Sequence, residues 1–223
     1  MAPEAGPALD EDPFERLAIA RAKDFGDYGR RRAELLARGR ERLAKLKRLW
    51  RTGPWIGEDG LQELGIEFAD GRLSKVGETT IRFSEPLFHG IEYANTGWVV
   101  AVVVEHGGER FLYSSDLEGP TIEDYAEWII SERPDYLILD GPSTYLLGYM
   151  LNRINLNRAI ANAVRIAEEG DPQVMVFDHH LLRDRRYRER TAAVWAASPK
   201  VLTAAELLGK RPLLDLINER SAT

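Results

Sequence analysis

The hydrophobic positions along the chain change period as they run from one end to the other. Between Ala33 and Trp50, Leu36, Leu43, Leu46 and Trp50 recur at spacings of seven, three and four, which places them on one face of a helix. Gly39 weakens that helix locally. From Gly65 the texture shortens to β-rich runs, IEFADGR, TTIRFSEPLF and GWVVAVVVEHGGERFLYSSD. His106-Gly107-Gly108 lies between two apolar runs and reads as a hairpin loop. From Thr121 onward strands and helices alternate. TIEDYAEWIISER opens on a candidate N-cap, Thr121, with an acidic first turn. The strand DYLILD follows, then a helix from about Arg153 to Glu168 closed by Gly170-Asp171-Pro172, then the strand QVMVFD. A last helical region runs from about Tyr187 to Leu208. Hairpins followed by β-α-β-α predict an α/β fold with a mixed sheet and helices on one face. Residues 1–13, rich in Pro, Ala and acid, read as a disordered lead-in, and 14–223 as one domain.

Composition narrows the picture in three places. The net charge of −6 gives no global basic field for nucleic acid. The first helix is locally basic, with ten Lys and Arg between Arg30 and Arg51. A solvated face is the commoner use of such a helix, and phosphate contact to a nucleic acid is the other. The chain has no cysteine, which excludes disulfides, thiolate metal sites and a cysteine nucleophile. The opening MAPEAGPALDEDP lacks the basic and apolar regions of a signal peptide. The longest apolar run, around Trp98 to Val104, is too short to span a bilayer. These features predict a cytoplasmic protein with no membrane partner.

The polar residues collect where apolar runs end. FSEPLF leads into His89-Gly90, RFLYSS into Asp116, DYLIL into Asp140-Gly141-Pro142, and VMVF into Asp178, His179 and His180. In a mostly parallel sheet the C-terminal strand ends share one edge, where such sheets bind ligands. Imidazole and carboxylate together suit zinc, manganese or iron. His89, Asp116 and one of His179 and His180 are therefore candidate metal ligands, with Asp116 able to bridge two ions. Each has a plainer reading. His89 and Asp140 precede glycines and fit turns, Asp116 fits a cap before Gly-Pro, and His106 fits a surface loop. The His179-His180 pair is harder to read as a turn. Neighbouring side chains alternate across a strand, so only one of the two is expected to ligate. His180 is favoured, with Asp178 orienting it and His179 contacting substrate.

Taken together, FHG at 88–90, SSDLEGP at 114–120, DYLILDGPSTYLLG at 135–148 and FDHHLLRD at 177–184 resemble a prokaryotic, largely archaeal family with the metallo-β-lactamase fold. The resemblance covers about Phe14 to Arg220. It implies an αββα sandwich and a one- or two-metal hydrolase site. His89 would be the third-motif histidine, Asp116 the bridging carboxylate and His180 or His179 the last ligand. Asp140 would sit near the site without binding metal, and Ser143, Thr144 and Tyr145 would shape the substrate pocket. Such proteins also carry an HxHxDH signature in the first half of the fold, and here the first histidine is His89. The chain therefore reads as the second half of the fold preceded by a helical segment. A truncated reading frame, a natural remnant and a second polypeptide supplying the rest are the three explanations.

The resemblance implies a zinc-dependent hydrolase, with manganese or iron as alternatives, acting on an ester or phosphoester. His89, Asp116 and His180 would be its metal ligands, and His179 and Asp140 its catalytic residues. The absent signature leaves open whether the chain is an enzyme by itself. One alternative is a non-catalytic scaffold whose uncovered sheet face favours homo-oligomers. Another is a DHH-type phosphoesterase, for which FDHH after a strand is the matching motif and DEDP at 10–13 the nearest upstream acid pair.

Overall fold

The computed structural model describes residues 12–53, 60–61 and 63–222. Residues 1–11 of the predicted lead-in lie outside the described residues. Its last two positions are ordered, contrary to expectation. Asp12 caps a 3-10 turn, Pro13–Arg16, by accepting a hydrogen bond from the Phe14 amide. Asp12 also accepts the Tyr93 hydroxyl at 2.5 Å.

The framework is a seven-stranded mixed sheet in the order β1-β2-β5-β6-β7-β8-β9. Its strands are β1 Leu73–Val76, β2 Thr79–Phe83, β5 Val102–His106, β6 Glu109–Tyr113, β7 Tyr136–Asp140, β8 Val174–Asp178 and β9 Val201–Leu202. A separate ladder pairs β3 Leu87–Phe88 with β4 Trp98–Val99. The β1-β2, β2-β5 and β5-β6 pairs are antiparallel. The β6-β7, β7-β8 and β8-β9 pairs are parallel. The pairing changes at β6, so β6, β7 and β8 all point their C-terminal ends to one edge.

The two faces of the sheet differ. Register aligns Val103, Leu112, Leu137, Met175 and Val201 in one row, and all five are buried. The opposite face carries Ile81, Val104, Phe111 and Tyr136 in one row and Val102, Tyr113 and Ile138 in the next. These are only partly covered, and Tyr113 is exposed.

Among the helices that enter the core packing are α1 Ala18–Ala22, α2 Gly29–Thr52, α3 Glu123–Glu132 and α4 Arg153–Glu169. Helix α3 packs on both α1 and α4. In α4, Leu156, Ala159, Ala163 and Ile166 form one buried stripe, as helical spacing requires. Asn152 caps this helix, its side chain accepting from the Asn155 amide at 2.8 Å. Thr121 is not the cap of α3. Its hydroxyl donates to the Glu118 carbonyl, and α3 starts after Ile122 with no side-chain cap. The acid Asp124 in the first turn of α3 instead accepts from the Ile19 and Ala20 amides, closing the N-terminus of α1.

Helix α2 is longer than its apolar spacing predicts. Leu36 and Leu43 are buried, and Trp50 meets the Trp98 ring edge-on at 5.7 Å. Gly39 is needed where it stands, because a Cβ there would lie 2.5 Å from the Tyr93 side chain. Several of its arginines fasten the helix. Arg32 pairs with Glu92 at 2.8 Å, and Arg42 donates to the Tyr93 and Ala94 carbonyls. The expected helix from Tyr187 to Leu208 is three short pieces, α5 Tyr187–Arg190, α6 Ala192–Ala197 and α7 Ala204–Leu207, with β9 between the last two. Pro199 follows the end of α6, and Thr203 and Glu206 form a capping box at α7. A final helix, α8, spans Leu213–Ala222.

Candidate metal centre

The C-terminal ends of β6, β7 and β8 are joined through one buried carboxylate. Asp140, 2% exposed, closes β7. Its Oδ2 accepts from the Glu118 amide at 3.0 Å, in the loop after β6. Its Oδ1 accepts from the His180 amide at 3.1 Å, in the turn after β8. The His180 Nδ1 lies 3.0 Å from both oxygens. The Asp140 amide in turn donates to the buried Ser114 hydroxyl. A buried carboxylate is tolerated only when its oxygens are satisfied in this manner. Gly141 completes the join. Its amide donates to the Asp178 carbonyl, and a Cβ at this position would sit 2.6 Å from that of Leu181.

The histidine pair does not lie on a strand. β8 ends at Asp178, and residues His179–Arg183 form a 3-10 segment kinked at Leu182. His179 enters it with φ at +63°. The alternation of a pleat therefore does not apply, and both rings come to the same place, 4.5 Å apart and edge to face. Asp178 does not orient His180 as expected. Its Oδ1 accepts the His179 amide at 2.7 Å and its Oδ2 the Ala204 amide at 2.7 Å. Orientation of His180 falls to Asp140. The hydrogen bond to Asp140 raises the His180 pKa, against the opposing effects of burial and of the Arg183 charge.

Two clusters of donor atoms gather here among the described residues, each within 4.8 Å, and they share His180. One is His89, Glu118 and His180; the other is Asp116, His179 and His180. In the first, His89 Nε2 is 3.7 Å from Glu118 Oε1, and the His89 and His180 rings are 5.8 Å apart. In the second, His179 Nε2 is 3.5 Å from Asp116 Oδ1. The first cluster is the more enclosed, since His179 is exposed while His89 and Glu118 are only partly so. Glu118 is steadied by the Ser143 hydroxyl at 3.3 Å. Burial raises the Glu118 pKa, helped by the Asp140 charge and opposed by His180 and His89. A cation is the natural complement to such a carboxylate.

The trio expected from the sequence, His89, Asp116 and His180, is thus divided. His180 is common to both clusters, His89 falls in one and Asp116 in the other. Asp140 stands beside the clusters without joining either. His106 is at the hairpin far from them, its Nδ1 2.9 Å from the Thr79 hydroxyl. Glu118 is the residue that sequence reasoning passed over. The signal available was an acid two positions beyond Asp116 in the same strand-end loop. The arrangement gathers imidazole and carboxylate donors around His180, whose Nδ1 is already paired with Asp140.

No family model matches the chain. It is similar to UPF0282 proteins of archaea. Identity to that of Methanopyrus kandleri is 40% over 158 residues, covering 70% of this chain and 53% of the relative. For the Korarchaeum cryptofilum protein it is 39% over 149 residues, covering 65% and 49%. For the Aeropyrum pernix protein it is 36% over 189 residues, covering 80% and 64%. The chain spans about half the length of the first of these relatives.

Proposed function

We propose that the chain carries the metal centre of a hydrolase of the metallo-β-lactamase type, with His89, Glu118 and His180 holding a divalent cation, zinc before manganese or iron. Two imidazoles and a carboxylate are a fitting donor set for such ions, and three protein ligands leave a position open. Donors of a tetrahedral zinc site stand about 3.4 Å apart. The 4.8 Å limit on this cluster asks only for modest closing of side chains. When bound, the ion would supply Lewis acidity and draw the pKa of water toward about 7.

The chain's own residues supply the rest. Asp140 fixes the His180 tautomer, leaving Nε2 free to face the cluster. Ser143 turns the Glu118 carboxylate toward His89. His179, exposed at the rim beside Asp116, is placed to donate a hydrogen bond to charge that develops on a substrate oxygen. The substrate class is an ester or phosphoester. The Asp140 to His180 bond carries this reading, because a carboxylate buried behind a histidine ring is the usual support of a metal-binding imidazole. The fold reading belongs to the same proposal. The half-covered face of Val104, Phe111 and Tyr113 is the kind of surface that the second sheet of a sandwich covers.

Zinc titration of the purified chain tests the reading. The wild type is expected to take up about one equivalent, and His180→Ala and Glu118→Gln to lose it. Asp116→Asn should change the affinity only a few-fold. Uptake abolished by Asp116→Asn and untouched by Glu118→Gln would move the ion to the other cluster. No uptake by the wild type would end the proposal.

A further inference from the structure

The segment Arg183–Arg190 holds five arginines. Three are neutralised by acids. Arg186 pairs with Glu189 at 2.6 Å, Arg188 with Glu206 and Asp215, and Arg190 with Asp184 at 2.9 Å. Arg183, the nearest of them to the histidine pair, is exposed, and its side-chain partner is a hydroxyl. Its Nη1 donates to the Tyr145 Oη at 3.4 Å. Tyr145 lies two residues after Ser143, the residue that holds Glu118. Arg183 ends the short segment that His179 opens, four residues on and just past the kink at Leu182.

The charges of the site give this guanidinium a role. Asp116, Glu118 and Asp140 bring three carboxylates to one strand-end edge, and Asp178 closes the neighbouring strand beside them. A divalent cation offsets two of these charges, and Arg183 adds a positive charge on the same side of the sheet. That charge opposes the repulsion an anionic substrate would otherwise meet. Guanidinium also matches the spacing of phosphate oxygens, which it can hold through two parallel hydrogen bonds.

We propose that Arg183, steadied by the Tyr145 hydroxyl, receives the negative charge of the substrate, and that the substrate class is therefore a phosphoester rather than a neutral ester. This rests on reading the His89, Glu118 and His180 cluster as the reaction centre.

The experiment is calorimetric titration of the chain with inorganic phosphate, with and without zinc, for wild type, Arg183→Gln, Arg183→Lys and Tyr145→Phe. Zinc affinity is measured separately on each. Arg183→Gln should weaken phosphate about tenfold or more while leaving zinc affinity within about twofold, since it removes a charge-assisted pair and no ligand. Arg183→Lys should restore part of the loss, and Tyr145→Phe should give a smaller one. Equal phosphate affinity in wild type and Arg183→Gln would overturn the proposal, as would zinc uptake with no phosphate binding by the wild type. If zinc does not bind, the metal reading fails by itself. The zinc-free titration then still decides for or against an anion site at Arg183 by the same comparison.

Discussion

Asp140 shows how much one side chain can organise. It satisfies the amides of Glu118 and His180 and the His180 ring together. Asp140→Asn keeps the shape but replaces one accepting oxygen with a donor, which cannot pair with the same amides. Supports of this kind are worth about 10- to 100-fold in metal affinity. A competition titration with a chromogenic chelator should show a loss of that size for zinc, and unchanged affinity would show that His180 needs no support. Asp140, His179 and His180 stood out as candidates because polar residues at the ends of apolar strands converge in this class of sheet, whereas His89 follows β3 of the separate ladder. Glu118 was not, because its place depends on a loop that turns back onto Asp140. The shared location of His179 and His180 was hidden for a similar reason: the left-handed φ of His179 cannot be read from an apolar run.

At the scale of elements, the long periodic stretches were the legible ones. α4, β7 and β8 fall where apolar spacing puts them, and α2 covers its expected stretch and extends past it at both ends. The region after Tyr187 divides because Pro199 and the Thr203 to Glu206 box interrupt an otherwise helical pattern, and these local signals outweigh it. Gly39 is the sharper case. On propensity alone Gly39→Ala should stabilise α2 by about 1 kcal/mol. The new Cβ would lie 2.5 Å from the Tyr93 side chain. Tyr93 has little room to yield, since its hydroxyl is bound to Asp12 and its ring sits 5.1 Å from that of Phe88. The variant is expected to lose about 1–3 kcal/mol through overpacking. Thermal unfolding checks the sign, and a rise in Tm would mean that Tyr93 moves aside freely.

For the molecule as a whole, a buried ion network ties distant segments together. Arg158 of α4 bonds Glu123 at the start of α3 and Glu92 in the β3-β4 loop, each at 2.8 Å. Arg32 of α2 shares Glu92, and Lys23 reaches Glu123 at 3.1 Å. Removing one partner of such a network strands the others in the interior. Arg158→Ala is expected to cost about 3–5 kcal/mol, read from urea unfolding, and a change under about 1 kcal/mol would mean that water replaces the guanidinium. The pH dependence has a definite sign. Burial works against ionisation of Glu92 and Glu123, yet Arg158 holds both pKa values below the usual 4.5. Their contribution is complete above that value and is lost as pH falls through the lowered one. The urea midpoint should therefore drop in acid, and drop less in Arg158→Ala.

The change of pairing direction at β6 also separates the two rims of the sheet. The reversal at His106, Gly107 and Gly108 lies at the start of β6, while Asp116 lies just past its far end. Five residues of extended chain put about 17 Å between them. A fluorophore or affinity handle grafted into that reversal would report on the protein from a distance, leaving the rim of the histidine clusters unencumbered for ligand experiments.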